Sequence, residues 1–426
     1  MEETYDIIIV GCGMAGALAG LAALQEDLTV CIVERKQREF IGKKTCGELI
    51  PQKICEWLKN DFALAIEYYP LKGLTICSKY ETIHAEGALH IEEPLCTIDR
   101  WKFGQILVDE LLKRGVHLKH ETVRGLVYGT CLKGVKTEDS VLHGAVTIDC
   151  SGVFSVLRKK VMKDSRAVQS FGIAYKENIT MRESHALESA VLMFDTSVVP
   201  SGYIWYFPKS EYTLNAGVGG LVQGKGLREI LANVVETHFS IEKRTHAGFG
   251  ILPLGMPLPS VVGPGLLVCG DAACHVNPLT GEGIAPALMG GYSAGKVAAR
   301  AVQNSDTSVR GMWQYNSECA RRYGAIFGPL FVLRDFLLSL SQKELTFLLD
   351  RLITSEELAQ LEKHWSSPSL KRMLTVFLTN WRNLPLLYKL NTVLKRMMEI
   401  RNHYECYPEG PEGFLQWRQD LASLFQ

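Results

Sequence analysis

At 426 residues, 47% of them hydrophobic and 22% charged, the chain is long enough to bury a large core and is expected to fold as two or three domains, which excludes a disordered protein. Lysine and arginine number 46 and aspartate and glutamate also 46, so no global attraction to nucleic acid is expected. No uninterrupted apolar stretch reaches the length of a membrane span, and a first strand beginning at Tyr5 leaves no room for a secretory signal, so a cytoplasmic protein is predicted.

The first predicted strand, residues 5–10, runs into Gly11-x-Gly13-x-x-Gly16, and the next apolar run, residues 30–33, is closed by Glu34. In this context Gly11 serves the tight turn and Gly13 allows backbone to approach a pyrophosphate. Gly16 lets the following helix pack on the strand, and that helix offers its free N–H groups and positive end to the phosphates. A carboxylate at Glu34 can accept both ribose hydroxyls and would repel a 2′-phosphate. Residues 99–114 follow as a helix with Phe103, Ile106, Leu107 and Leu111 on one face, and then short strands over 116–149.

From about residue 170 to 250 the pattern is β-rich, with apolar or alternating runs at 190–194, 203–207 and 214–222. Tyr203, Trp205 and Phe207 share one face of an extended strand because side chains alternate with period two. They form an apolar wall that Pro208 is expected to terminate. The α/β pattern resumes at residues 266–269 and turns at Gly270-Asp271, followed by Pro278-x-x-Gly281-x-Gly283 and a helix from Ile284. There Asp271 can accept from flavin ribityl hydroxyls, and the helix N-terminus suits the anionic pyrimidine edge of a reduced flavin. Two such turns, a strand before each and an acid after the second strand predict an FAD site. The expected fold is α/β: a Rossmann-type FAD-binding domain over 1–70, 96–168 and 249–305, an inserted antiparallel β-sheet substrate domain over 71–95 and 169–248, and a helical region over 306–426.

Within that last region Leu370, Met373, Leu374, Phe377, Leu378, Trp381 and Leu384 keep helical spacing up to Pro385, and a second stripe runs through Leu390, Val393, Leu394 and Met397. Basic residues surround both stripes, so they read either as core-facing helices or as a surface for the anionic face of a membrane. None of the twelve cysteines forms a Cys-x-x-Cys pair, which removes zinc and iron–sulfur spacings. Cys31, Cys77, Cys150 and Cys269 sit in apolar runs and read as small core residues in a reducing compartment.

Over almost its whole length the chain resembles the geranylgeranyl reductase family of the p-hydroxybenzoate hydroxylase-like flavoproteins, above all its archaeal lipid reductases. The resemblance rests on the Gly11–Gly16 fingerprint, the Lys44-Thr45-Cys46-Gly47 loop, Arg100, the segment from Gly270 to Ile284, and most specifically residues 200–208, which follow the pattern P-x-x-Y-x-W-x-F-P. It implies FAD contacts from Ala15, Arg35, Cys46, Gly47, Glu48, Arg100 and Val123 beside the glycine motifs. It also implies a substrate wall of Tyr203, Trp205, Phe207 and Pro208, with Cys46, Tyr203 and Trp205 as candidate catalytic groups. The implied reaction is saturation of C=C bonds in geranylgeranyl chains of isoprenoid lipids, with electrons from NAD(P)H or a ferredoxin-like protein. Cys319 lies where the family often carries a second cysteine, so a Cys46–Cys319 pair is an expectation to test. Two departures stand out: Ser151-Gly152 replaces an Asp-Gly pair used by many flavin hydroxylases, and Cys274 occupies a position where His or Arg is common, with His275 read as structural. The rivals are a flavin monooxygenase or halogenase, whose Trp-x-Trp-x-Ile-Pro motif differs from residues 203–208 here, and a non-catalytic lipid-binding protein on the same fold.

Overall fold

In the computed structural model, which describes residues 1–78, 89–162, 170–221, 226–352 and 384–425, strands among those residues form three sheets. The first is built on near-continuous apolar strands that need cover on both faces. Glu2–Val10 lies between Val141–Asp149 and Val30–Val33, flanked by Leu266–Val268 and His117–Lys119, and all these pairings are parallel. Ile7, Ile8, Ile9, Ile32, Ile148 and Leu267 are fully buried in the core they share. The central strands therefore release the chain side by side at Gly11, Cys150 and Cys269, the end of an open parallel sheet where ligands bind.

Two helices cover this sheet and approach each other closely. A Cβ at Gly291 would lie 2.1 Å from the Ala15 carbonyl oxygen, and one at Gly295 would lie 2.3 Å from that of Ala19. Small residues at the crossing thus let Met14–Leu24 and Ile284–Gln303 pack backbone to backbone, and both N-termini open on one cavity.

The second sheet has seven strands among the described residues, in the order Ile241–Pro253, Phe171–Met181, Thr213–Gly220, Gly202–Ser210, Ala190–Met193, Leu74–Cys77 and Leu89–Ile91. It is antiparallel apart from one pair, since Ala190–Met193 runs parallel to Leu74–Cys77. One face carries Ile204, Tyr206, Leu214 and Val218 into a core covered by the helix Leu227–His238. That helix was not anticipated, although Leu227, Leu231, Val234 and Val235 keep helical spacing. The other face carries Trp205 and Phe207 towards the first sheet. The strand does not stop at Pro208: Pro208 pairs with Leu214, and a register shift before Ser210 accommodates its missing N–H. A three-stranded sheet of Leu49–Pro51, Leu95–Ile98 and Tyr68–Leu71 joins the two larger ones.

The C-terminal helices pack inward. Leu386 and Leu390 of Leu384–Glu405 are buried against Phe336, Leu340, Leu345 and Leu348. The stripe through Leu390 and Met397 is therefore core, with Lys389 and Lys395 exposed on its outer side. Pro385 is the second described residue of this helix. The stripe from Leu370 to Trp381 lies outside the described residues. Among those described, no helix is long and apolar enough to cross a membrane.

Candidate active site

The loop after the first strand is shaped by two different demands. Gly11 has φ +101°, and a Cβ on it would meet the Cys150 carbonyl oxygen at 2.4 Å. Gly13 faces open space instead, with nothing within 4 Å of the position a Cβ would take. It precedes a helix that has no side-chain cap, so that helix's first N–H groups remain available. Glu34 is fixed beside this loop by two backbone donors, Cys12 N to Oε2 at 2.8 Å and Lys36 N to Oε1 at 2.9 Å. Each carboxylate oxygen keeps acceptor capacity for a diol. Ala15, Arg35 and Val123 line the same end of the cavity.

The second turn lies across from the first. Gly270 has φ +63° at the start of the short helix Gly270–Ala273, and Asp271 next to it is ion-paired with Lys44. Pro278, Gly281, Gly283 and Ile284 line the adjoining wall. The helix Ile284–Gln303 carries neither a side-chain cap nor an acidic residue in its first turn, so its first N–H groups remain available. Arg100 donates from Nη1 to the Gly42 carbonyl at 2.7 Å and holds the loop that leads to Lys44 and Cys46.

Tyr203, Trp205 and Phe207 form the third wall, with neighbouring ring centroids 6.0 and 6.2 Å apart. Across the strand pair Tyr203 faces Gly219 and Trp205 faces Gly217. The indole lies flat on the bare backbone there, since a Cβ at Gly217 would come within 2.1 Å of it. The Tyr203 hydroxyl donates to the Thr280 carbonyl and tethers the wall to the glycine loop, while burial pushes its pKa up. Pro208, expected in this wall, is not part of it: its even position turns it to the sheet's other face, and its carbonyl accepts from Thr97.

These walls enclose one continuous cavity of 1190 Å³. It runs from Gly11 past the aromatic row and on between the C-terminal helices, where Leu330, Leu337, Leu345 and Leu390 line it. Cys46, Gly47 and Glu48 lie where the aromatic row meets the loop. No Cys46–Cys319 disulfide is present. All twelve thiols are free, and Cys319 is buried in the core beside Tyr315, where burial pushes its thiol pKa up, whereas Cys46 faces the cavity. His275 is buried and stacked on Tyr323 with ring centroids 4.1 Å apart.

Several polar residues at the site escaped the sequence reading. Asp149 is fully buried and accepts from Ser151 N at 3.0 Å, Ser151 Oγ, Ser155 Oγ at 2.6 Å and the Leu157 and Arg158 N–H groups at 3.1 Å. Ser151 therefore turns inward, and no carboxylate faces the cavity at that position. Beneath the aromatic wall, half-buried Lys209 and buried Asn215 meet Glu48, the acid already expected near the flavin, and form a polar floor with buried Lys176 beside it. Desolvation holds the Lys176 pKa below its ordinary value, with Glu48 opposing that shift.

Open backbone at Gly13, a fixed acid at Glu34, a second acid at Asp271 and two uncapped helix N-termini fit a flavin dinucleotide. They define the class first: a flavoprotein oxidoreductase on a Rossmann-type fold. Residues 171–249 match the model of the geranylgeranyl reductase catalytic domain. Digeranylgeranylglycerophospholipid reductase of Sulfolobus acidocaldarius is 26% identical, over 99% of this chain and 98% of its own length. The enzyme of that name from Methanosphaerula palustris is 28% identical over 85% and 96%. A geranylgeranyl bacteriochlorophyll reductase-like protein from Thermoplasma acidophilum has the same fold, with a TM-score of 0.75 at 21% identity, covering 92% of this chain and 100% of its own. A flavin-dependent brominase shares the fold with a TM-score of 0.63 at 18% identity, over 87% and 98%. The chain is thus similar to geranylgeranyl reductases, through the matched catalytic-domain segment and, at 26% identity, over nearly its whole length.

Proposed function

We propose that this protein uses FAD to saturate isolated C=C bonds in the geranylgeranyl chains of isoprenoid ether lipids. One observation carries the reading: a single cavity joins the nucleotide loop, the aromatic row and a leucine-lined extension. A polyprenyl chain needs such an apolar sleeve, and its reacting bond must reach the edge of the flavin.

Gly11, Gly13, Ala15, Gly16 and Glu34 would hold the pyrophosphate and ribose, and Asp271 the ribityl chain, once Lys44 yields that acid. The helix beginning at Ile284 would face the pyrimidine edge. Reduced FAD held by these residues would supply hydride chemistry for one alkene carbon. An isolated alkene has no carbonyl to absorb charge, so the surroundings must exclude water and favour developing positive charge. The ring faces of Trp205 and Phe207 serve both needs through their area and their quadrupoles. The other carbon takes a proton. The Tyr203 hydroxyl is committed to Thr280, which leaves the Cys46 thiol or an ordered water as its source. Electrons arrive from NAD(P)H or a ferredoxin-like protein, and the lipid is taken from the face of a membrane. Incubation of the reduced holoenzyme with a geranylgeranyl lipid tests the reading: lipid that gains hydrogen supports it, and unaltered lipid with fully bound, reoxidisable flavin contradicts it.

A further inference from the structure

The Cys46 loop and the aromatic wall meet at one buried side chain. Asn215 is fully excluded from solvent. Its Oδ1 accepts from Trp205 Nε1 at 3.0 Å, while its Nδ2 donates to the Cys46 carbonyl at 2.8 Å and to Glu48 Oε2 at 3.1 Å. Both amide donors and one acceptor site are thus spent on three residues that line the cavity.

The loop it grips is held tightly from the other side as well. Glu48 sits at φ +65°, a left-handed conformation that a residue of this type keeps only where its surroundings enforce it. Its carboxylate also accepts from Lys209 and, at 3.1 Å, from the Arg100 N–H, and its own carbonyl accepts from Ile98 N at 3.0 Å. Gly47 lies so close to the wall that a Cβ on it would meet the Phe207 ring at 2.8 Å. The Cys46 sulfur accepts from Glu48 N at 3.3 Å, which ties the thiol to the same turn.

We infer that Asn215 is a positioning residue that sets the Cys46 thiol and the Trp205 ring relative to each other, with the Glu48–Lys209 pair as its anchor. The inference rests on the function proposed above, in which the alkene reacts between that ring and that loop. The indole comes from the strand Gly202–Ser210 and the thiol from the loop that precedes Leu49, and Asn215 is bonded to both segments at once. A bond with a purely structural role would register in stability alone, whereas a positioning bond also sets the reactivity of Cys46.

The test uses the FAD-loaded full chain with Asn215→Asp and Asn215→Leu. Asn215→Asp keeps an acceptor for the indole N–H but loses donation to both the Cys46 carbonyl and Glu48, beside which it sets a second carboxylate, and Asn215→Leu loses all three bonds. The rate of Cys46 alkylation by iodoacetamide is followed by peptide mass, and kcat and KM are measured with a geranylgeranyl lipid. In both variants alkylation of Cys46 should accelerate by about tenfold or more, the equivalent of one lost hydrogen bond of the charge-assisted kind. kcat should fall more than KM rises, and only Asn215→Leu should shift the Trp205 fluorescence. Cys46 alkylation within about twofold of the parent in folded, flavin-loaded protein would overturn the inference, a factor too small to reflect a lost anchor. If Asn215→Leu does not fold, the Asn215→Asp alkylation rate decides. The alkylation readout needs no lipid, so a parent protein that reduces no alkene would defeat the function proposed above while the positioning of Cys46 is still judged.

Discussion

Gly217→Ala perturbs the aromatic wall without deleting any of it. The added Cβ would lie 2.1 Å from Trp205 Cζ2 and 2.5 Å from Cε2 and Cη2. Ordinary carbon contacts lie near 3.5 Å, so the indole must move by roughly 1.4 Å. It can move only outward into the cavity, which pulls Nε1 from Asn215 Oδ1, now at 3.0 Å, and unstacks the ring from Phe207. Overpacking of this kind costs about 1–3 kcal/mol. The proposed nucleotide contacts at Gly11–Gly16, Glu34 and Asp271 lie at the end of the other sheet, so cofactor content should match the parent. The assay pairs denaturant unfolding and flavin absorbance with turnover of a geranylgeranyl lipid, and kcat/KM should fall because the substrate loses its sleeve. A Gly217→Ala protein with parental stability and parental turnover would show that the flat indole is not part of the substrate site.

Three further outcomes follow from the same geometry. Glu34→Ala and Asp271→Ala should each weaken FAD binding by about 1.5–3 kcal/mol, the range for hydrogen bonds to charged groups, read as cofactor lost on dialysis. Trp205→Ala should retain FAD and lose lipid turnover, with a fold cost of about 3–5 kcal/mol that a melting curve measures alongside. His185 is buried, donates from Nε2 to the Ser210 carbonyl at 2.7 Å and accepts at Nδ1 from Leu187 N at 2.9 Å, so it is neutral in the fold and burial lowers its pKa below the ordinary 6.5. Below pH 6.5 the unfolded chain takes up a proton that the folded chain resists, so stability should fall as pH drops through that window. His185→Gln should flatten that part of the stability–pH profile.

The sequence was most legible where a motif is local. Gly11, Gly13, Gly16 and Glu34 lie within one strand–helix–strand unit, and Gly270 to Ile284 within one turn, so spacing alone brought out the geometry. The aromatic row was legible because period two holds along any strand. The same rule, carried one residue further, would have excluded Pro208 from the wall. What escaped depends on pairing between distant segments. Asn215 becomes part of the site only through the register that sets it opposite Phe207, with Gly217 and Gly219 facing Trp205 and Tyr203. The alternation of Asn215, Gly217 and Gly219 was the available signal. Lys44 meets Asp271 from far away in sequence, and no local pattern foretells that ion pair. The stripe at Leu390 carried a basic edge that suits a membrane surface equally well. Only the placement of Phe336, Leu345 and Leu348 beneath it decides for the core.

The most direct test of the central claim is the mass of the lipid after anaerobic incubation with the chemically reduced holoenzyme. The account predicts a gain of two hydrogens for each double bond saturated, with flavin oxidised in step and product formation lost in Trp205→Ala. A gain of oxygen once air is admitted, with no hydrogenated lipid formed before it, would contradict the account and assign the site to a monooxygenase.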